Sequence, residues 1–133
     1  MNYNQIGILL GICGIAFLGF TLKKVGNPYV KGLWKSGLLV FTLYAALLIY
    51  IEIQWQFISD YASKYDLNGN GFVDLNEYSE EAIAAMNKKT YGSTVRAYAP
   101  LTMAAISSII GFAYLLSDWA VIRLKNKEQK QQL

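Results

Sequence analysis

The chain has 133 residues, 54% of them hydrophobic and only 16% charged, with a formal net charge of +3. That is too apolar for an ordinary small soluble domain. With no histidine and a single cysteine, Cys13, a disulfide framework and multi-cysteine or Cys/His zinc sites are excluded, and Cys13 itself, inside an apolar run, reads as inert packing.

Residues 6–22 are uncharged and almost wholly apolar. Residues 37–51 are uncharged too, and with Glu52 tolerated near the end the apolar pattern reaches Ile58. Residues 99–117 form a third uncharged run that continues through Trp119 to Ile122. Each supplies about 17 to 22 residues, enough for a hydrocarbon core of roughly 30 Å, so three transmembrane helices are expected. The alternative for the first, a signal peptide, lacks a basic n-region and a small-residue cleavage site, and the sequence begins at Met1, so an uncleaved span is favoured. Gly7, Gly11 and Gly14 on the first span, and Ala104, Ser107, Ser108 and Gly111 on the third, make faces that allow close helix approach. Such faces serve either a partner interface or internal packing of the three helices.

Charge sets an expected orientation. The first connection carries Lys23, Lys24, Lys31 and Lys35 with no acid, and the tail carries Arg123, Lys125, Lys127 and Lys130 against Glu128. Residues 1–5 are uncharged, and the second connection, residues 54–98, has more acids than bases. The positive-inside rule then puts the first connection and the tail in the cytoplasm, with the N-terminus and second connection outside a plasma membrane, or periplasmic if that membrane is a Gram-negative inner one. Trp34 and Trp119 fall at the inner interface and Tyr3, Trp55 and Tyr98 at the outer one. Glu52 and Asp118 lie near opposite span ends, where interfacial anchoring is favoured over ion translocation. The lysines of the first connection can attract anionic headgroups without specificity.

Between the second and third spans, residues 66–77 read Asp-Leu-Asn-Gly-Asn-Gly-Phe-Val-Asp-Leu-Asn-Glu. This resembles the EF-hand calcium loop position by position, over about residues 55 to 88 of the chain with its flanks. The resemblance implies calcium held by Asp66, Asn68 and Asn70, by the backbone carbonyl of Phe72, by Asp74 directly or through water, and by bidentate Glu77, with Gly71 at the sharp turn and Val73 where paired loops share a short strand. Ile58, Tyr61, Ala62 and Tyr65 share a helical face before the loop, and Leu75, Tyr78, Ala82 and Met86 do so after it. No second loop is present to pair with. A lone loop with three acids and two neutral ligands belongs at the weak end of the range, about 10⁻⁴ to 10⁻³ M, suited to an extracytoplasmic compartment.

The expected architecture is all-α. Residues 1–53 hold two transmembrane helices, 54–90 an extracytoplasmic EF-hand, 91–124 the third span and 125–133 a fraying polar tail. The second span is expected to run unbroken into the entering helix. Tyr91-Gly92-Ser93 is the expected hinge before the third span, whose first turn Pro100 suits. Without histidine, a phosphate loop or a nucleophile elbow, catalysis has no support. Juxtamembrane bases do not suit nucleic acid. The function expected is a non-catalytic accessory or regulatory subunit of a membrane complex, in which calcium orders a docking surface of Tyr61, Tyr65, Tyr78, Ile83 and Met86. The alternatives are a calcium-gated homo-oligomeric channel or transporter component, and a structural subunit of a membrane enzyme complex. The partners expected are membrane lipids and other membrane subunits or further copies of the chain.

Overall fold

A computed structural model describes residues 2–71 and 73–131. It is all-helical, and among the described residues there is no strand. Helix α1 spans Tyr3–Leu22, α2 spans Pro28–Ser63 and α3 spans Glu80–Gln131, with a short 3-10 turn at Leu75–Glu77. All three are long and apolar enough to cross a membrane.

Local sequence explains the starts. The Asn2 side chain accepts from the Gln5 N–H at 2.9 Å while Gln5 Oε1 accepts from the Asn2 N–H at 3.3 Å, a reciprocal cap that opens α1. Asn27 accepts from the N–H groups of Tyr29 and Val30, and Pro28 occupies the first turn, where its missing N–H costs nothing. That cap starts α2 nine residues before Gly37. The helix then continues to Ser63, so one 36-residue rod joins the apolar segment to the loop, as its lack of internal proline predicts.

The helices meet through small residues. Gly11 lies against Ala45, where an added Cβ would come within 2.9 Å of the alanine methyl, and Gly7 and Gly14 lie against Leu48 and Phe41. Gly37 faces Leu18, and Trp34 Nε1 donates to Thr21 Oγ1 at 2.8 Å. Residues falling along α1 thus meet residues rising along α2, an antiparallel pair in one register. On α3, Gly111 lies against Val40 and accepts a 2.6 Å hydrogen bond at its carbonyl from Ser36 Oγ. The glycines of α1 and the Ser107–Gly111 face of α3 are therefore occupied by internal packing. Cys13 is exposed, a correction to its reading as packing: it falls off the Gly7–Gly11–Gly14 face that meets α2.

The buried apolar residues are Ala45, Leu48, Ala62, Ala82, Ala85, Ala99 and Leu115, nearly all small. Only 11%, 17% and 22% of the apolar windows of α1, α2 and α3 is buried within the protein, while Phe17, Phe20, Ile109 and Phe112 face outward. A water-soluble bundle hides its large side chains. Helices in lipid gain nothing by doing so and associate through close backbone approach.

The second half of the chain departs from expectation. α3 is one helix of 52 residues that contains Pro100 in its interior, so neither a hinge at Tyr91-Gly92-Ser93 nor a helix start at Pro100 is present. Pro100 leaves the Arg96 carbonyl without its usual donor, a cost that α3 absorbs through its contacts with α2 along both sides of the break. Gly92 sits against Trp55 and Ile58, where an added Cβ would lie 3.4 to 3.6 Å from side-chain carbons, ordinary contact distance. Gly92→Ala should therefore be neutral or stabilise the protein by up to about 1 kcal/mol, read as an unchanged or raised midpoint of thermal unfolding in detergent. A loss of stability would show that the site must bend. The C-terminal segment is helical to Gln131, with Lys130 in its last turn, where a cation complements the helix dipole.

Candidate metal centre

The described residues of the 66–77 segment turn back on themselves at the tip of the α2–α3 pair. Gly69 and Gly71 adopt φ of +70° and +88°, the left-handed region open to glycine at little cost. Gly71 is the turn residue the sequence singles out, and Gly69 supplies a second such turn. Asp66 reaches across it, accepting from the Asn70 N–H at 3.1 Å and the Gly71 N–H at 2.7 Å. Asn68 Oδ1 also accepts from the Asn70 N–H, at 3.0 Å.

Glu77 closes the far side. Its Oε1 accepts from the N–H groups of Leu67 and Asn68 at 2.9 and 3.1 Å, and its Oε2 from the Asp74 N–H at 3.0 Å. The last bond belongs to a reciprocal cap in which the Glu77 N–H approaches Asp74. That cap is why the Asp-Leu-Asn-Glu sequence makes a 3-10 turn. Asp74 Oδ2 accepts from the side-chain amides of Asn68 at 2.6 Å and Asn70 at 2.9 Å.

Asp66, Asn68, Asn70, Asp74 and Glu77 are thus joined in one hydrogen-bonded network. Phe72, expected to offer its carbonyl, lies outside the described residues. Val73 forms no strand, consistent with there being no second loop for it to pair with. Among the described residues no three Asp, Glu or Cys side chains converge as a metal-holding group, because Asp66 and Glu77 are turned onto backbone N–H groups. The donor chemistry nevertheless suits a hard divalent cation: every ligating atom on offer is oxygen. Asp74 already meets the amide ends of Asn68 and Asn70. Half a turn of either amide exchanges its nitrogen for its oxygen at nearly the same place, and oxygens so close repel unless a cation lies between them.

The apolar side chains around the loop divide into two groups. Tyr78, Ile83 and Met86 line a groove of about 240 Å³ with Val73, Ala82 and Asn87. Tyr61 and Tyr65 instead pair with each other, hydroxyls 3.0 Å apart and rings edge-on at 5.6 Å. That contact raises the Tyr65 pKa above its usual value.

A second polar cluster lies where the three helices meet at the loop end. Glu52 on α2 accepts from Arg96 Nε at 2.8 Å and pairs with the other arm of the same guanidinium, a two-point ion pair. The guanidinium also stacks over Trp55, 5.2 Å from the ring centre. From α1, Asn4 Nδ2 donates to Glu52 at 2.8 Å and to the Leu48 carbonyl at 3.1 Å. Asn4 is 1% exposed, and its Oδ1 has no partner among the described residues. It borders a cavity of about 150 Å³ shared with Ser93 and Arg96, polar and roomy enough for ordered water. Sequence reasoning finds Glu52 but not Arg96 or Asn4, which belong to other helices. The available signal is that Arg96 is the only base near the start of the third apolar run.

A scan against protein-family models finds no matching family, and searches of the curated proteins and of the solved structures find no match.

Proposed function

We propose that this chain is a non-catalytic integral membrane protein that binds calcium through a single EF-hand-type loop outside the cytoplasm, and that it acts as an accessory or regulatory subunit of a larger membrane assembly. The observation that carries this reading is the joining of five oxygen-bearing side chains, Asp66, Asn68, Asn70, Asp74 and Glu77, in one network at the tip of two helices long enough to enter a bilayer. Orientation rests on Lys23, Lys24, Lys31, Lys35 and the basic tail, which favour the cytoplasmic side. In that orientation the loop meets a calcium-rich compartment, where a weak lone site fills.

In mechanism, calcium draws Asp66, Asp74 and Glu77 off their amide partners and fixes the angle between the ends of α2 and α3. The groove of Tyr78, Ile83 and Met86 then takes one shape and receives a partner. Because α2 is unbroken from Pro28 to Ser63, a change at the loop acts on the membrane helices without an intervening hinge. The test is co-purification of the tagged protein from its own membranes, with about 1 mM calcium or with chelator. A partner is expected to be retained only with calcium, and to be lost for Glu77→Gln under both conditions. Retention that ignores both chelator and substitution would reduce the ion to a structural role.

A further inference from the structure

At the end of the bundle remote from the loop, α3 continues past Trp119 as a polar helix. Arg123, Lys127 and Lys130 recur there at helical spacing and line a cleft of about 1000 Å³. Tyr29 at the start of α2 closes the cleft against Trp119, one turn before Arg123: the indole Nε1 donates to the Tyr29 carbonyl at 3.1 Å, and the two rings meet edge-on at 6.3 Å. Toward the apolar part of α3 the same cleft is lined by Leu116 and Ala120, while Leu124 follows Arg123 among the cations.

Among the described residues none of the three cations enters an ion pair; the pair present is Arg96 with Glu52. The neighbouring acids do not serve them. Asp118 is turned to α2, its Oδ2 against Gly32, and Glu128 does not border the cleft. Three unpaired cations on one face of a cleft attract an anion with several oxygens. The apolar wall, running from the cations toward the span, adds a second requirement: the ligand must be apolar on one side of its charge. That sequence along the helix, apolar then aromatic then basic, parallels the acyl chain, interface and headgroup of a lipid.

We propose that this cleft binds one anionic phospholipid, its phosphate held by Arg123, Lys127 and Lys130 and an acyl chain laid along Leu116 and Ala120. The inference rests only on the helices crossing a bilayer and is independent of the metal reading. Each basic residue near an anionic surface is worth roughly a fivefold change in binding, so removing three should lower the preference for anionic over zwitterionic lipid by about a hundredfold.

The test is native mass spectrometry of the full chain released from micelles doped with equal amounts of phosphatidylglycerol and phosphatidylcholine. One phosphatidylglycerol adduct is expected in preference to phosphatidylcholine. R123Q/K127Q/K130Q should abolish that preference, and K23Q/K24Q, which removes nearby bases outside the cleft, should keep it. Helicity by circular dichroism checks that both variants fold. Equal binding of the two lipids, or equal loss in both variants, would mean only diffuse attraction to basic residues and would overturn the proposal. Displacement of the adduct by inorganic phosphate at constant ionic strength would also overturn it, in favour of a soluble-anion site. Retention under that challenge supports the lipid.

Discussion

Calcium titrated into the purified protein is expected to fill one site with a dissociation constant of about 10⁻⁴ to 10⁻³ M, and Glu77→Gln to weaken it at least tenfold. Glu77 offers two oxygens to the ion and three hydrogen bonds to the loop backbone, so the substitution removes both a charge and one of the two oxygens. Terbium, a hard trivalent substitute that the nearby tyrosines can sensitise, provides the readout: luminescence should rise with terbium and fall as calcium competes. Asp66→Asn should weaken binding less severely, because it removes a charge but keeps an amide oxygen able to ligate the ion at that position. Binding that is unaltered in Glu77→Gln would place the ion elsewhere and remove the basis for the proposed function.

Arg96→Ala is expected to destabilise the protein by about 3 kcal/mol, because it strands a partly buried carboxylate. The side chains of Arg96 and Glu52 are 21% and 13% exposed, so solvent can relieve only part of that cost. The diagnostic comparison is E52Q/R96A, which removes both charges. It should recover most of the loss, since the amide oxygen then at position 52 can still accept from Asn4, whose bond to the Leu48 carbonyl is untouched. Unfolding midpoints in detergent, measured for the parent chain and both variants, give the comparison. A double variant no more stable than Arg96→Ala alone would show that packing of Arg96 over Trp55 matters and the ion pair does not.

The ion pair also has a place in the proposed mechanism. Ser63, the end of α2, lies eleven residues beyond Glu52, roughly 17 Å along the helix. Over that length α2 and α3 close on Ala62, Ala82 and Ala85, all but fully buried. With Asn4 tied to Glu52, one cluster links all three helices at the base of the arms that carry the loop.

Much of this is legible in the order of residues alone. Runs of apolar side chains at 6–22, 37–58 and 99–122 dictate three long helices, because a chain with so little charge must satisfy its backbone internally. The continuity of α2 follows from the absence of proline and glycine after Gly37. The residues of the 66–77 loop are legible too, since spacing along twelve residues is a local property and Gly71 must turn the backbone. Pro100 and Gly92, by contrast, mislead: their intrinsic cost inside a helix, about 3 and 1 kcal/mol, is outweighed by the contacts that α2 provides to α3 on both sides of them. Tertiary structure alone decides which small faces are used internally, that Gly11 meets Ala45 and Gly111 meets Ser36. It alone brings Asn4, Glu52 and Arg96 together and gathers Arg123, Lys127 and Lys130 in one cleft with no ion pair among the described residues. The reason is the same in each case. Helix formation depends on neighbours three and four residues away, whereas pairing across helices depends on the register in which separate segments close on one another, and no single segment carries that register.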